Sequence, residues 1–133
     1  CYIARIMQMC DGHLIKYHGL VDHARKLEFL RNARAMLIPS LQPYVEVFGL
    51  VAVEAGACGT PVIAMANGGL REIIIPGKNG FIGRSIDEMV QLVDRVNEID
   101  PRECRRVASA FDSSFMARNY LNHYKNILSG DEW

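Results

Sequence analysis

The stretch Glu46-Val47-Phe48-Gly49-Leu50-Val51-Ala52-Val53-Glu54-Ala55-Gly56-Ala57-Cys58-Gly59-Thr60-Pro61-Val62-Ile63-Ala64-Met65 decides how this chain is read. Residues 48–58 read as a helix that is apolar on nearly every side, and Gly59 ends it. Pro61 to Met65 then reads as a short strand without a charge. A helix that is apolar all round is expected to be largely buried. An uncharged strand is expected to be covered on both faces, as in a parallel sheet. One residue of the helix breaks the pattern. A carboxylate at Glu54, buried without partners, would cost several kcal/mol, on the order of 2–7 for an unpaired polar group. The simplest way to keep it is to face it into a polar cleft, where a ligand or water supplies donors.

Outward from this unit, helices and strands alternate. Upstream, Ile3, Ile6, Met7 and Cys10 recur at helical spacing and stop before the turn signal Asp11-Gly12. Leu14-Ile15-Lys16-Tyr17-His18 reads as a short strand ending at Gly19. Asp22 is placed to cap a helix with Leu27, Leu30 and Ala33 on one face, among Arg25, Lys26, Glu28 and Arg31. Ala35-Met36-Leu37-Ile38 is a further uncharged strand, closed by Pro39-Ser40, and the loop 41–45 leads into the central helix. Downstream, Asn67-Gly68-Gly69 turns into a brief helix through Ile74, and a loop at 76–80 precedes a small strand at 81–83. Ser85 and Glu88 form a capping box for a helix to about Ile99. Pro101 opens the next helix, and Ser113 or Ser114 caps the last, which bears Met116, Tyr120, Tyr124 and Leu128. The fold class is α/β, a Rossmann-like parallel sheet with helices on both faces. Such sheets bind ligands at the carboxyl ends of their strands. Gly19, Ser40 and Asn67-Gly68-Gly69 are expected there, on one rim with Glu46.

Composition narrows the function classes. A length of 133 residues suits one domain with one core. Fifteen basic and fifteen acidic residues cancel without a Lys/Arg cluster, which argues against nucleic-acid binding by a broad basic surface. No apolar stretch approaches the ~20 residues of a membrane span, and no signal peptide opens the chain. Cys1, Cys10, Cys58 and Cys104 lack close ligand spacing and read as reduced packing cysteines in a cytoplasmic setting. His13, His18, His23 and His123 form no ligand pairs, so no metal is expected.

Glu46 precedes Glu54 by eight positions. On a continuous helix that separation spans about 12 Å, with about 80° of rotation left after two turns. This is roughly the length of a nucleoside-diphosphate sugar from hexose to ribose, and two carboxylates so placed suit hydroxyls at both ends.

An ordered set of short motifs agrees with this. Pro39-Ser40, Glu46-x-Phe48-Gly49-Leu50, Glu54-Ala55, Cys58-Gly59-Thr60-Pro61-Val62 and Gly68-Gly69-x-x-Glu72 follow one another at tight spacing. Together with His18-Gly19 and Gly77-x-x-Gly80-Phe81, they resemble the C-terminal donor-binding domain of retaining glycosyltransferases of the GT-B fold, the glycosyl transferases group 1 family. The resemblance covers nearly the whole chain and implies transfer of a hexose from a UDP- or GDP-linked sugar to a glycan, lipid or small-molecule acceptor. It implies that Glu46 approaches the donor sugar and takes part in catalysis. It implies that the N–H groups of Val47, Phe48, Gly49 and Leu50 meet sugar hydroxyls or phosphate, and that Glu54 holds the ribose hydroxyls. It places Gly19 and Leu20 beside the base. Unpaired N–H groups and the dipole of a helix N-terminus suit an anion independently of the analogy.

The nucleotide sugar is then a co-substrate, with no cofactor and no metal. The family's basic pair near the start of the domain and its N-terminal acceptor domain are not in the sequence. Residues 1–133 are therefore expected to be a partial donor domain, inactive and prone to self-association alone. An open sheet edge is expected, with an exposed patch at Tyr120, Tyr124, Ile127, Leu128 or Trp133. The full protein would be cytoplasmic, compatible with peripheral association at the cytoplasmic face of a membrane. Two alternatives stay open: a non-catalytic nucleotide-sugar-binding or scaffold subunit, and a GT-B nucleotide-sugar epimerase. Plainer roles stand beside the functional ones. Glu46 would cap the helix, Glu54 would pair with Arg71, and Gly68-Gly69 would serve only as a turn. Phe48 and Leu50 would pack in the core, as would Tyr120 and Tyr124, and Lys78 would be solvated.

Overall fold

The structure, a computed structural model, describes residues 2–40 and 45–130. Its helices are α1 (Tyr2–Met9), α2 (His23–Asn32), α3 (Leu50–Cys58), α4 (Leu70–Ile73), α5 (Ile86–Val93), α6 (Pro101–Ala108) and α7 (Ser113–Leu128). Strands β1 (Met36–Ile38), β2 (Val62–Met65) and β3 (Gly80–Gly83) form a parallel sheet in the order β1-β2-β3. The register sets Met36 beside Val62 and Val62 beside Gly80.

Side chains on a strand point alternately to opposite faces, and β2 uses this to join two cores. Val62 and Ala64 face Leu30 of α2, Ala52 and Ala55 of α3, and Leu70 and Ile73 of α4. Ile63 faces the other way, toward Phe81, Met89 and Leu92 of α5, and Cys104 of α6. All three β2 residues are fully buried, which explains why the strand carries no polar position. The expected α/β architecture, with helices on both faces, is present.

Several expected boundaries hold for the expected reasons. Asp22 caps α2 by accepting from the Arg25 N–H, and Ser85 caps α5 by accepting from Glu88. Gly59 ends α3 in a left-handed conformation, and Pro101 occupies the first turn of α6 behind the Asp100 cap. Thr60, buried after α3, donates its hydroxyl to the Leu30 carbonyl and so ties the end of α2 to the sheet. Burial pushes the Cys104 thiol pKa up, while Cys10, Cys58 and Cys104 are all free thiols.

Other boundaries are corrected. Residues 14–18 form no strand. The Asp11 carboxylate accepts from the N–H groups of His13, Leu14 and Ile15 at 2.8, 2.7 and 2.9 Å, so two of the amides a strand would use are taken by a turn. Leu14 and Leu20 are exposed. The helix expected to reach Ile99 is α5 followed by a 3₁₀ segment, Asp94–Glu98. The cap of α7 is Asp112, not Ser113 or Ser114; the Ser114 N–H that it accepts holds its carboxyl below the usual range. No residue of α7 is buried: Tyr120 and Tyr124 touch each other but lie open to solvent, so their helical spacing does not mark core packing. Of the expected patch, Tyr120, Tyr124, Ile127 and Leu128 are indeed exposed, and Trp133 lies outside the described residues.

Candidate functional site

The carboxyl ends of β1 and β2 are joined by a polar bridge. Asn67, buried just past β2, donates its side-chain N–H to the Ser40 carbonyl at 3.1 Å. Beyond it, Gly68 and Gly69 lie against the segment that precedes α3. The Gly69 N–H donates to the Glu46 carbonyl at 2.9 Å. A Cβ at Gly68 would sit 2.0 Å from the Glu46 carbonyl oxygen, and one at Gly69 would sit 2.5 Å from that of Val47. At both positions two backbones touch, so a side chain has no room there. The contact also fixes Glu46 at the rim where parallel sheets bind ligands, as expected.

Helix α3 starts later than expected. Gly49 is its N-cap, with φ +88° and ψ +46°, and Leu50 is its first residue. Glu46 therefore lies in the irregular segment before the helix and not on it, so the two-turn helical ruler between Glu46 and Glu54 does not apply. Glu46 does not cap α3 either, since the cap has no side-chain hydrogen bond. Among the described residues the N–H groups of Val47, Phe48, Gly49 and Leu50 donate no hydrogen bond, and the Glu46 carboxylate has no partner. Val47, Phe48 and Leu50 are exposed, contrary to the core role considered for Phe48 and Leu50. Phe48 meets the ring of Phe111 edge-on at 5.9 Å.

Glu54 lies in the middle of α3, half-buried, with its side chain 29% exposed. Its Oε1 accepts from the Lys26 ammonium of α2 at 2.6 Å. Arg71, the partner weighed from sequence, instead donates to the Ala66 carbonyl. Glu54 also lines a cavity of about 540 Å³ with His23, Leu27, Arg31, Cys58 and Arg105, so it does face a cleft, one of mixed polar and apolar lining. Gly19 and Leu20 sit in the irregular segment before α2, not at a strand end, and Leu20 is fully exposed. His18 packs on Phe29, 4.6 Å between ring centres. Among the described residues no group of three or more His, Cys, Asp or Glu is arranged to hold a metal, and no helix is long and apolar enough to cross a membrane.

Sequence reasoning missed Lys26. It stands among Arg25, Glu28 and Arg31 on a charged helix and reads as one more solvated base. Its partner is 28 positions away, beyond the reach of any local signal.

The profile of the glycosyl transferases group 1 family matches residues 10–110. The chain belongs to that family. A D-inositol 3-phosphate glycosyltransferase of Frankia alni is 35% identical over 124 residues, 87% of this chain and 30% of that protein. One from Stackebrandtia nassauensis is 39% identical over 99 residues, covering 73% of this chain and 22% of the relative. The chain thus spans less than a third of these relatives. Among solved structures, sucrose-phosphate synthase from Thermosynechococcus elongatus superposes with a TM-score of 0.71 at 29% identity, over 96% of this chain and 34% of that one. AviGT4, a glycosyltransferase involved in avilamycin A biosynthesis, gives 0.72 at 26% identity, over 99% and 41%. The Rossmann-like sheet is therefore that of a GT-B glycosyltransferase.

Proposed function

We propose that these 133 residues are the donor-binding part of a longer retaining glycosyltransferase. It transfers a hexose from a UDP- or GDP-linked sugar to a glycan, lipid or small-molecule acceptor. The observation that carries this reading is Glu54: a carboxylate retained on an otherwise apolar helix, facing a cavity, in a chain of this family. Its oxygens are suited to the ribose hydroxyls. The free N–H groups of Val47, Phe48, Gly49 and Leu50 supply donors for the diphosphate or the sugar, reinforced by the positive end of the α3 dipole. Gly19 and Leu20 border the base, and Glu46, held at the rim by Gly69, approaches the sugar.

Chemistry at such a site is electrostatic. The leaving diphosphate and the oxocarbenium-like carbon are stabilised by groups already in place, so little reorganisation is needed as charge develops. The proposal assigns no metal: the α3 N-terminus supplies positive potential, and the basic side chains that would complete it belong to the rest of the polypeptide. The inositol phosphate named for two relatives is one instance of a small-molecule acceptor. The exposed face of α7 is proposed to meet the rest of the polypeptide.

Calorimetry with UDP, GDP and ADP on the complete polypeptide tests the reading. One of the three should bind, and Glu54→Gln should weaken it by about 1–3 kcal/mol, the scale of a lost charged hydrogen bond. The fold should survive, because the amide fills the same space and the Lys26 contact, about a third exposed, contributes at most about 1 kcal/mol. Unchanged affinity would remove Glu54 from the site.

A further inference from the structure

A glutamate at mid-helix has three rotatable bonds, and one open to solvent by nearly a third is not fixed by packing. For it to select one pair of hydroxyls, something must choose its rotamer. Lys26 is placed to do so. The lysine lies one turn inside α2, where its own N–H donates to the Asp22 carbonyl at 2.9 Å. The helix is anchored at its far end by the Thr60–Leu30 hydrogen bond and by buried Leu30. The ammonium takes Oε1 alone, and among the described residues Oε2 accepts no hydrogen bond. A charge-assisted contact of 2.6 Å is short and directional. It holds one oxygen and leaves the other, with the remaining lone pair of the first, aimed by the same constraint.

We propose that Lys26 is a positioning residue that orients Glu54 for the ribose hydroxyls, and so gives the site its preference for ribonucleotides over deoxyribonucleotides. This rests on the reading that Glu54 grips the ribose. Lys26 acts through Glu54, so its loss should cost selectivity and not the diphosphate contacts made by the start of α3.

The experiment measures dissociation constants of the complete polypeptide for UDP and 2′-deoxy-UDP, and for the matching GDP and ADP pairs. In the wild type the ribose form of the bound nucleotide should be favoured by roughly tenfold or more, as expected for one lost hydrogen bond to a charged group. Lys26→Met should bring the two forms to within about threefold, and Lys26→Arg, which keeps the charge and the donors, should restore most of the preference. A Lys26→Met protein that binds both forms more weakly with the ratio kept, or that binds the ribose form more tightly, would overturn the positioning role and leave the proposed function standing. A wild type that binds no nucleoside diphosphate, or binds both forms alike, would overturn the reading of Glu54 and the role of Lys26 with it. Lys26→Gln serves as a second variant if the methionine protein does not fold.

Discussion

Glu46 and Glu54 lie eight positions apart, yet their surroundings suit them to different work. Glu54 is on a helix, half-buried and tied to a cation. Glu46 is off the helix, held by its own backbone against Gly69, with its carboxylate free of partners among the described residues. A side chain held only through its backbone is free to meet the sugar, so its loss should act on turnover. Glu46→Ala should lower kcat roughly a hundredfold, the scale of one electrostatic contact at the reacting centre, while affinity for the free nucleoside diphosphate stays within about twofold. Steady-state kinetics beside calorimetry would check this, and a parallel fall in both would make Glu46 structural. That Glu54 needs a polar surrounding was legible in the sequence, because it is a lone carboxylate in an apolar run. The true separation of the two glutamates was not, since the left-handed Gly49 that shortens the helix gives no signal apart from being glycine. Nor was Lys26, whose role is a matter of packing between two helices.

At the scale of elements, the apolar run at 61–65 was readable because a strand buried on both faces has no polar position to confuse the pattern. The segment 14–18, Leu14-Ile15-Lys16-Tyr17-His18, also begins apolar but misled, because Asp11 captures the amides locally and no described strand pairs with it. Gly68-Gly69 was readable as a turn and not as a contact, since the backbone it meets is more than twenty positions upstream. That contact is testable. Gly68→Ala would drive a Cβ into the Glu46 carbonyl at a positive φ, and should destabilise the fold by about 1–3 kcal/mol or more. Gly77→Ala, also at positive φ but with nothing within 4 Å, should cost only the conformational strain of about 1–2 kcal/mol. Urea titrations of both variants would check the order, and equal losses would deny the close approach.

The cap of α7 gives a pH dependence. Asp112 has its carboxyl pKa lowered by the Ser114 N–H, so its contribution to stability is present above the unfolded value and is lost as pH falls through the lower folded one. The stability difference between wild type and Asp112→Ala should be level above about pH 5 and shrink below about pH 4. Asp11, Glu98 and Glu103 are shifted the same way, and cancel in that difference.

On the scale of the whole molecule, two of the concavities among the described residues differ sharply. One, about 520 Å³, is an apolar groove between Phe48, Phe111 and the α7 side chains Phe115, Tyr120, Tyr124 and Ile127. The other is the cavity of mixed lining beside Glu54, with His23, Arg31 and Arg105 among its walls. The two are of similar size, and greasiness alone would favour the groove as a ligand site, yet it has few groups to hold a charged diphosphate. The free amides at the start of α3 and the Glu54 carboxylate are the groups that answer a nucleotide's chemistry, and the account stands on their being the ones used. The most direct measurement is a titration of the isotopically labelled polypeptide with UDP and GDP, followed by backbone amide resonances. The account predicts that the signals of Val47, Phe48, Gly49, Leu50 and Glu54 move together and saturate at one concentration, with Phe115 to Ile127 unmoved. Shifts concentrated along α7, with the start of α3 silent, would contradict it.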